Sequence, residues 1–175
     1  MTLFDISGYV TLILFFVFVL LWTSYNSFVK SRTQVEEDFA DIDVQLKRRS
    51  DLISQLVEVV KGYAKHEEKV FEQVTQLRTQ NINSQSVAEI AKRENQTTSL
   101  IGSLFAIAEN YPVLKADKSY QSLMDNMKET ENRIAFFRGE YNISVKKYNS
   151  KLQTFPNSII NSLFGFKIAE FFSFK

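Results

Sequence analysis

Cysteine is absent from the 175-residue chain, which excludes disulfides, thiolate metal sites and a cysteine nucleophile together. Histidine occurs once, at His66, so a two-histidine metal site is ruled out and at most one imidazole base remains. His66-Glu67-Glu68 lacks the second histidine, four positions on, that a helical zinc motif requires. With Glu72 nearby, this stretch reads as a solvated helix face. Only 5 Gly and 2 Pro are present, too few turn formers for a β-rich fold and in keeping with long helices. No Gly-rich phosphate loop and no Gly-x-Ser-x-Gly elbow occurs. The formal net charge of +1 lacks the clustered basic excess of a nucleic-acid binder. These absences predict a protein with no catalytic residues, no cofactor, no metal and no nucleic-acid partner.

What is present begins with a greasy N-terminal stretch. No residue from Ile6 to Val29 is charged, and Tyr9 to Trp22 is dense in Leu, Ile, Val and Phe. About 20 apolar residues cross a bilayer core as a helix, and Trp22 and Tyr25 fall where an aromatic interface belt is expected. A cleaved signal peptide would need a positive start and small residues at a cleavage site. Here Asp5 precedes the stretch and bulky residues follow it, so an anchor is expected over residues 1–29. Lys30 and Arg32 follow the span and no Lys or Arg precedes it. The positive-inside rule therefore predicts a single-pass protein with Met1 outside and the C-terminal part in the cytoplasm.

Beyond the span, apolar residues recur at alternating three-and-four spacing. Phe39, Leu46, Ile53, Val60 and Val74 fall at one core position of a heptad. Val35, Ile42, Leu56, Tyr63, Val70 and Leu77 fall at the other. Such a stripe lies on one side of a helix and reads as a coiled-coil or bundle seam. The pattern predicts a first helix to about Gln80, a turn over Asn81–Gln85, and a second helix from Val87 to about Asn110, stopped by Pro112. Val87, Ile90, Ile101, Leu104 and Ala108 form the second stripe, weakened at Glu94 and Thr97. After a link at Val113–Asp117, a third helix is expected over Lys118–Gln153. Its stripe is Tyr120, Met127, Ile134, Tyr141 and Tyr148, joined by Leu123, Phe137, Val145 and Leu152. Arg49 and Glu67 interrupt the first seam and read as side chains snorkelling at its edge, the alternative being core polar residues that fix register or partner choice at a cost in stability. Lys47-Arg48-Arg49 reads as a partner-facing or solvated patch. Asn157 is suited to cap a short helix ending at Gly165, within an apolar tail over 157–175 expected to pack on the bundle, seal an interface or lie on a bilayer. The expected architecture is all-α: the anchor, a long antiparallel bundle over 30–156 with three long helices, and the apolar helical tail.

Several segments resemble the LemA family of bacterial membrane proteins. They are Tyr25-Asn26-Ser27-Phe28-Val29, Asp43 through Ile53, Leu56-Val57-Glu58, Lys61 through Glu67 and Glu109 through Ala116. The likeness continues in Glu131 through Ala135, Tyr141-Asn142, Tyr148-Asn149 and Phe155-Pro156, and so covers nearly the whole chain. The family usually carries Pro-Asn after the Asp-Leu-Ile, where this chain has Ser54-Gln55. A straighter helix is therefore expected here. The resemblance implies a location in the bacterial inner (cytoplasmic) membrane and no settled biochemical activity. Through relatives connected with magnetosome formation it leans toward membrane organisation.

If the first helix turns back near Asn83, the second helix reaches only to the level of Leu56. The membrane-proximal seam of Phe28, Val35, Phe39, Ile42, Leu46 and Ile53 then has no partner in its own chain. Leaving it in water would forgo about 1.5–3 kcal/mol of burial per large side chain. That geometry predicts a homo-oligomer interface at those residues, the alternative being that the C-terminal tail folds back over them. The Tyr141-Asn142 and Tyr148-Asn149 pairs are expected to fix helix register, with the ring buried and its hydroxyl paired beside the amide. The expected function is a self-assembling helical scaffold anchored in the lipid bilayer. The alternative is a tethered module that presents its bundle to an unidentified protein partner.

Overall fold

A run of 61 residues without proline builds the first helix, α1 (Leu3–Tyr63). The computed structural model describes residues 3–64, 71–74 and 86–173. After a short helical stretch at 71–74 come α2 (Val87–Glu109), α3 (Pro112–Ala116), α4 (Lys118–Gln153) and α5 (Asn157–Phe164). No strand occurs among the described residues, and the fold is all-α. As Ser54-Gln55 leads one to expect, α1 is unbroken through that point. The turn expected at Asn81–Gln85, and the His66-Glu67-Glu68 stretch, lie outside the described residues.

The chain's contacts fall into two units. One comprises Met1–Glu37 with Ile143–Ala169, the other Asp38–Asn142 with Glu170–Lys175. These boundaries differ from the division at residues 29 and 156 expected from the sequence.

In the second unit, α1 does not continue to Gln80. It stops at Tyr63, with Gly62 in its last turn, where glycine costs a helix about 1 kcal/mol relative to alanine. Phe71 lies beneath the Lys61 ammonium, 5.2 Å from ring centroid to Nζ. Val74 lines a cavity with Leu46, Arg49 and Ile53, so the chain has already turned back along α1. Next, α2 runs in the same direction as α1: Glu94 sits beside Arg49, while the end of α2 and α3 share a core with Val60 and Ala64. Tyr63 Oη donates to Asp117 Oδ2 (3.0 Å) at this distal end. The antiparallel partner of α1 is α4, which places Tyr120 and Met127 in the Leu52–Val60 core and Tyr141 against Phe39, ring centroids 5.7 Å apart. The expectation of an antiparallel second helix is thus corrected, because α1 ends at Tyr63 and the 71–74 stretch already lies back along it, ahead of α2.

Local signals explain the helix ends. Ser86 and Glu89 form a reciprocal capping box at the start of α2, satisfying two donors the first turn leaves open. Pro112 opens α3, a single turn within the expected link, since the missing N–H costs nothing at that position. Asp117 Oδ1 accepts from the Ser119 and Tyr120 amides at the start of α4. Gly165 closes α5 with φ +70°, a left-handed conformation suited to glycine.

Candidate functional site

Two kinds of polar cluster stand out: a buried charge pair in the second unit, and a Tyr-Asn pair in each unit. In the second unit, two of the charged residues that interrupt the apolar stripes, Arg49 and Glu94, meet. Arg49 Nη1 donates to Glu94 Oε2 at 2.6 Å and Nη2 to Thr98 Oγ1 at 2.8 Å. Glu131 adds a second carboxylate 3.3 Å from Nη2. Arg49 is 2% exposed and Glu94 6%, so Arg49 does not snorkel as expected. Burial pushes the Glu94 carboxyl above its ordinary range, outweighing the downward pull of the Arg49 and Arg93 charges. A cavity of about 60 Å³ beside the pair is lined by Leu46, Arg49, Ile53, Glu94 and Thr97 among others. With its outer guanidinium nitrogens already paired to carboxylates and a hydroxyl, Arg49 is not offered to an anion. The arrangement fixes which helices pack together and at what level, the best-attested use of buried charge. Lys47-Arg48-Arg49 is no shared basic patch either: Lys47 pairs with Asp43, Arg48 approaches Glu129, and Arg49 is inside. No cluster of metal-ligating side chains occurs among the described residues.

The seam residues assigned to a subunit contact are covered by their own chain. In the second unit Ile42, Leu46 and Ile53 are buried and Phe39 half-buried against Tyr141. In the first unit Phe28 and Val35 are buried. Phe28 packs edge-on against Phe166, with centroids 5.5 Å apart. Val35 lines a cleft with Tyr148 and the residues after α5. The geometric ground for placing an interface there is removed. The cover comes from α4, whose 36 residues extend roughly 54 Å, and from the tail beyond α5. Lys151 of α4 donates to Ser27 Oγ at 3.0 Å and also to Ser31 Oγ of α1.

The hydroxyl and amide groups of the two Tyr-Asn pairs bond to that tail, while the Tyr141 ring packs on Phe39 of α1. In the first unit, Tyr148 Oη donates to the Lys167 carbonyl (3.0 Å). Asn149 Nδ2 donates to the Ala169 carbonyl (2.9 Å), and the Ala169 amide donates back to Asn149 Oδ1 (2.8 Å). In the second unit, Tyr141 Oη donates to the Glu170 carbonyl (2.8 Å). Asn142 exchanges the same pair of bonds with Phe172, at 3.0 and 2.9 Å. Each asparagine thus reads one backbone residue as a strand would. Seven helical residues rise about 10.5 Å and three extended residues span about 10 Å, so the same bonding pattern recurs one heptad apart. Phe172 is 1% exposed, with the Arg138 guanidinium 5.0 Å above its ring. Burial raises the Tyr141 and Tyr148 hydroxyl pKa values, with a smaller upward push from Glu170 on Tyr141, and on Tyr148 a downward pull from the Arg32 charge and an upward push from Glu36.

With these clusters in place, comparison with known sequences identifies the chain's relatives. The LemA family profile matches residues 38–175. The chain belongs to the LemA family. It is 24% identical over 177 aligned residues to magnetosome protein MamQ 2 of Paramagnetospirillum magneticum, covering 86% of this chain and 65% of that protein. The same figures hold for magnetosome protein MamQ of Magnetospirillum gryphiswaldense. Protein LemA of Metamycoplasma hominis is 26% identical over 149 residues, covering 83% of this chain and 68% of that protein. The chain therefore spans just under two thirds of the length of these MamQ relatives. The LemA match takes in Arg49, Glu94 and both Tyr-Asn latches.

The Arg49–Glu94 pairing was not anticipated from sequence. Its signal was present: one positive and one negative residue, each at an apolar position of a different helix.

Proposed function

We propose that this LemA-family chain is a non-catalytic, single-pass module of the bacterial cytoplasmic membrane that presents its helical bundle to a partner protein. Met1 lies outside and the helices beyond Lys30 lie in the cytoplasm. The carrying observation is that α1 holds both a lipid-suited stretch and the bundle seam. The most apolar 18 residues of α1 have a mean hydropathy of 2.2 and none is buried within the protein, whereas Ile42, Leu56 and Val60 of the same helix are fully covered. Lys30 and Arg32 supply the orientation. The magnetosome relatives support a role in organising membranes.

Self-association is the second reading, and the covered seam moves it elsewhere. Val44 is 59% and Phe136 62% exposed. The Arg48–Glu129 and Phe39–Tyr141 contacts bracket them at one level of α1 and α4, where a second copy would find apolar surface.

The absence of native cysteine makes the topology directly testable. Thr2→Cys is expected to react with a membrane-impermeant thiol reagent in intact cells, and Lys128→Cys only after permeabilisation. Labelling of Lys128→Cys alone in intact cells would contradict the orientation.

A further inference from the structure

The first unit carries an apolar surface that its own packing leaves open. In α5, Ile160 is buried and Asn157 and Asn161 are half-buried, so one face is turned inward. Ile159 and Leu163 are 61% and 71% exposed. They stand four residues apart on one ridge, because that spacing returns to the same side of a helix. Phe155 precedes them and Ile168 follows, both largely exposed. Ser158 and Ser162 form the next ridge, also exposed.

Where this surface lies in the unit decides what covers it. Phe164 packs against Tyr25 with ring centroids 5.0 Å apart, and it shares a cleft with Phe18, Leu21, Trp22 and Asn26. Ser24 Oγ meets Asn157 Oδ1 at 3.4 Å. Thus α5 sits beside the last two turns of the apolar stretch of α1. Counted from Ile6, about 20 residues reach across a bilayer core and end near Tyr25. Phe18 lies only about 10 Å below that point along the helix. A helix at this level touches the boundary between acyl chains and headgroups. The charges agree: Ile143–Ala169 contains Lys146, Lys147, Lys151 and Lys167 and no acidic residue, which suits anionic headgroups.

We propose that α5 is a second membrane contact, an interfacial helix whose Phe155, Ile159, Leu163 and Ile168 side chains enter the cytoplasmic leaflet beside the transmembrane span while nearby lysines meet anionic headgroups. Short amphipathic helices bind at that depth by burying one apolar face and keeping the other wet. The ridge belongs to the same short helix as Phe164, which shares its cleft with Phe18 and Trp22 of the span, themselves 58% and 61% exposed. The partner is therefore lipid in preference to protein. The proposal rests on the reading of Ile6–Tyr25 as a span.

The test uses the full chain reconstituted into vesicles of phosphatidylethanolamine and phosphatidylglycerol, carrying one spin label at Phe16→Cys, Ser158→Cys, Ile159→Cys or Leu163→Cys. All four positions are exposed on the protein, so labelling leaves the packing intact. Collision with a water-soluble nickel chelate is expected to be several-fold lower at Ile159 and Leu163 than at Ser158. Collision with oxygen should be enriched at Ile159 and Leu163, though less than at Phe16. Water-like behaviour at Ile159 and Leu163, with Phe16 still in lipid, would overturn the interfacial helix and leave the span standing. Shielding of both positions from nickel and oxygen alike would show a protein cover and also overturn it. Water-like behaviour at Phe16 would remove the span and the proposal together.

Discussion

Replacing Glu94 with alanine is expected to destabilise the protein by about 3–5 kcal/mol, because it leaves the buried Arg49 charge with only the half-exposed Glu131. Truncating a surface partner such as Glu36, paired with exposed Arg32, should cost at most about 1 kcal/mol. Arg49→Met combined with Glu94→Leu is expected to return most of the loss, since an apolar pair avoids the desolvation that an ion pair must overcome. Chemical denaturation of the single and double variants checks both. A double variant as unstable as the single one would show that the loss does not arise from the unpaired charge. The pH dependence has a definite sign. Burial raises the Glu94 pKa on folding, so its contribution to stability is complete below the unfolded value and falls as pH rises through the folded one. The natural chain's advantage over Glu94→Gln should therefore shrink as pH rises from the ordinary glutamate value of about 4.3 through the raised folded one.

The second large effect is expected at the tail. Asn142→Ala with Asn149→Ala removes both two-bond pairings to the backbone of Phe172 and Ala169. At about 1 kcal/mol per hydrogen bond, local release of residues 166–173 should become easier by roughly 4 kcal/mol. Amide hydrogen exchange at Ala169 and Phe172 is the direct reading, because their own N–H groups are the donors in question. Protection there should fall by about a thousandfold, while protection in the core around Leu56 and Leu104 stays as it was. Unchanged exchange at Ala169 and Phe172 would mean the asparagines do not hold the tail.

The all-α fold and the stripes of α1 and α4 are legible because apolar side chains repeat with helical period, and burial follows that period closely. Ile134, Tyr141, Val145, Tyr148 and Leu152 are all inside. The end of α1 is not legible for a specific reason. Val74 falls two heptads after Val60, so the returning chain continues the pattern of the helix it has left, and no proline marks the break. That misreading reversed the direction of α2 and left the proximal seam without a partner. It thereby suggested an interface at Phe28, Val35, Phe39, Ile42, Leu46 and Ile53. The latches were half legible. Tyr141-Asn142 and Tyr148-Asn149 are visible as repeated pairs on a core stripe. Their partners are backbone atoms 19 to 30 residues away, in a tail with no regular structure, and backbone atoms leave no mark in the sequence. Arg49 and Glu94 were visible singly, but their pairing depends on α2 running alongside α1.

The central claim is that one chain covers its own seam at Phe39, Ile42 and Leu46, so that no second copy is needed there. The most direct test is the protein mass of the detergent-solubilised full chain, measured by sedimentation equilibrium across a series of dilutions. A protein mass of 20.3 kDa at every dilution is the expected result. A larger discrete species that falls to this mass in the Phe39→Ser, Ile42→Ser, Leu46→Ser variant, with helix content and unfolding temperature unchanged, would contradict it.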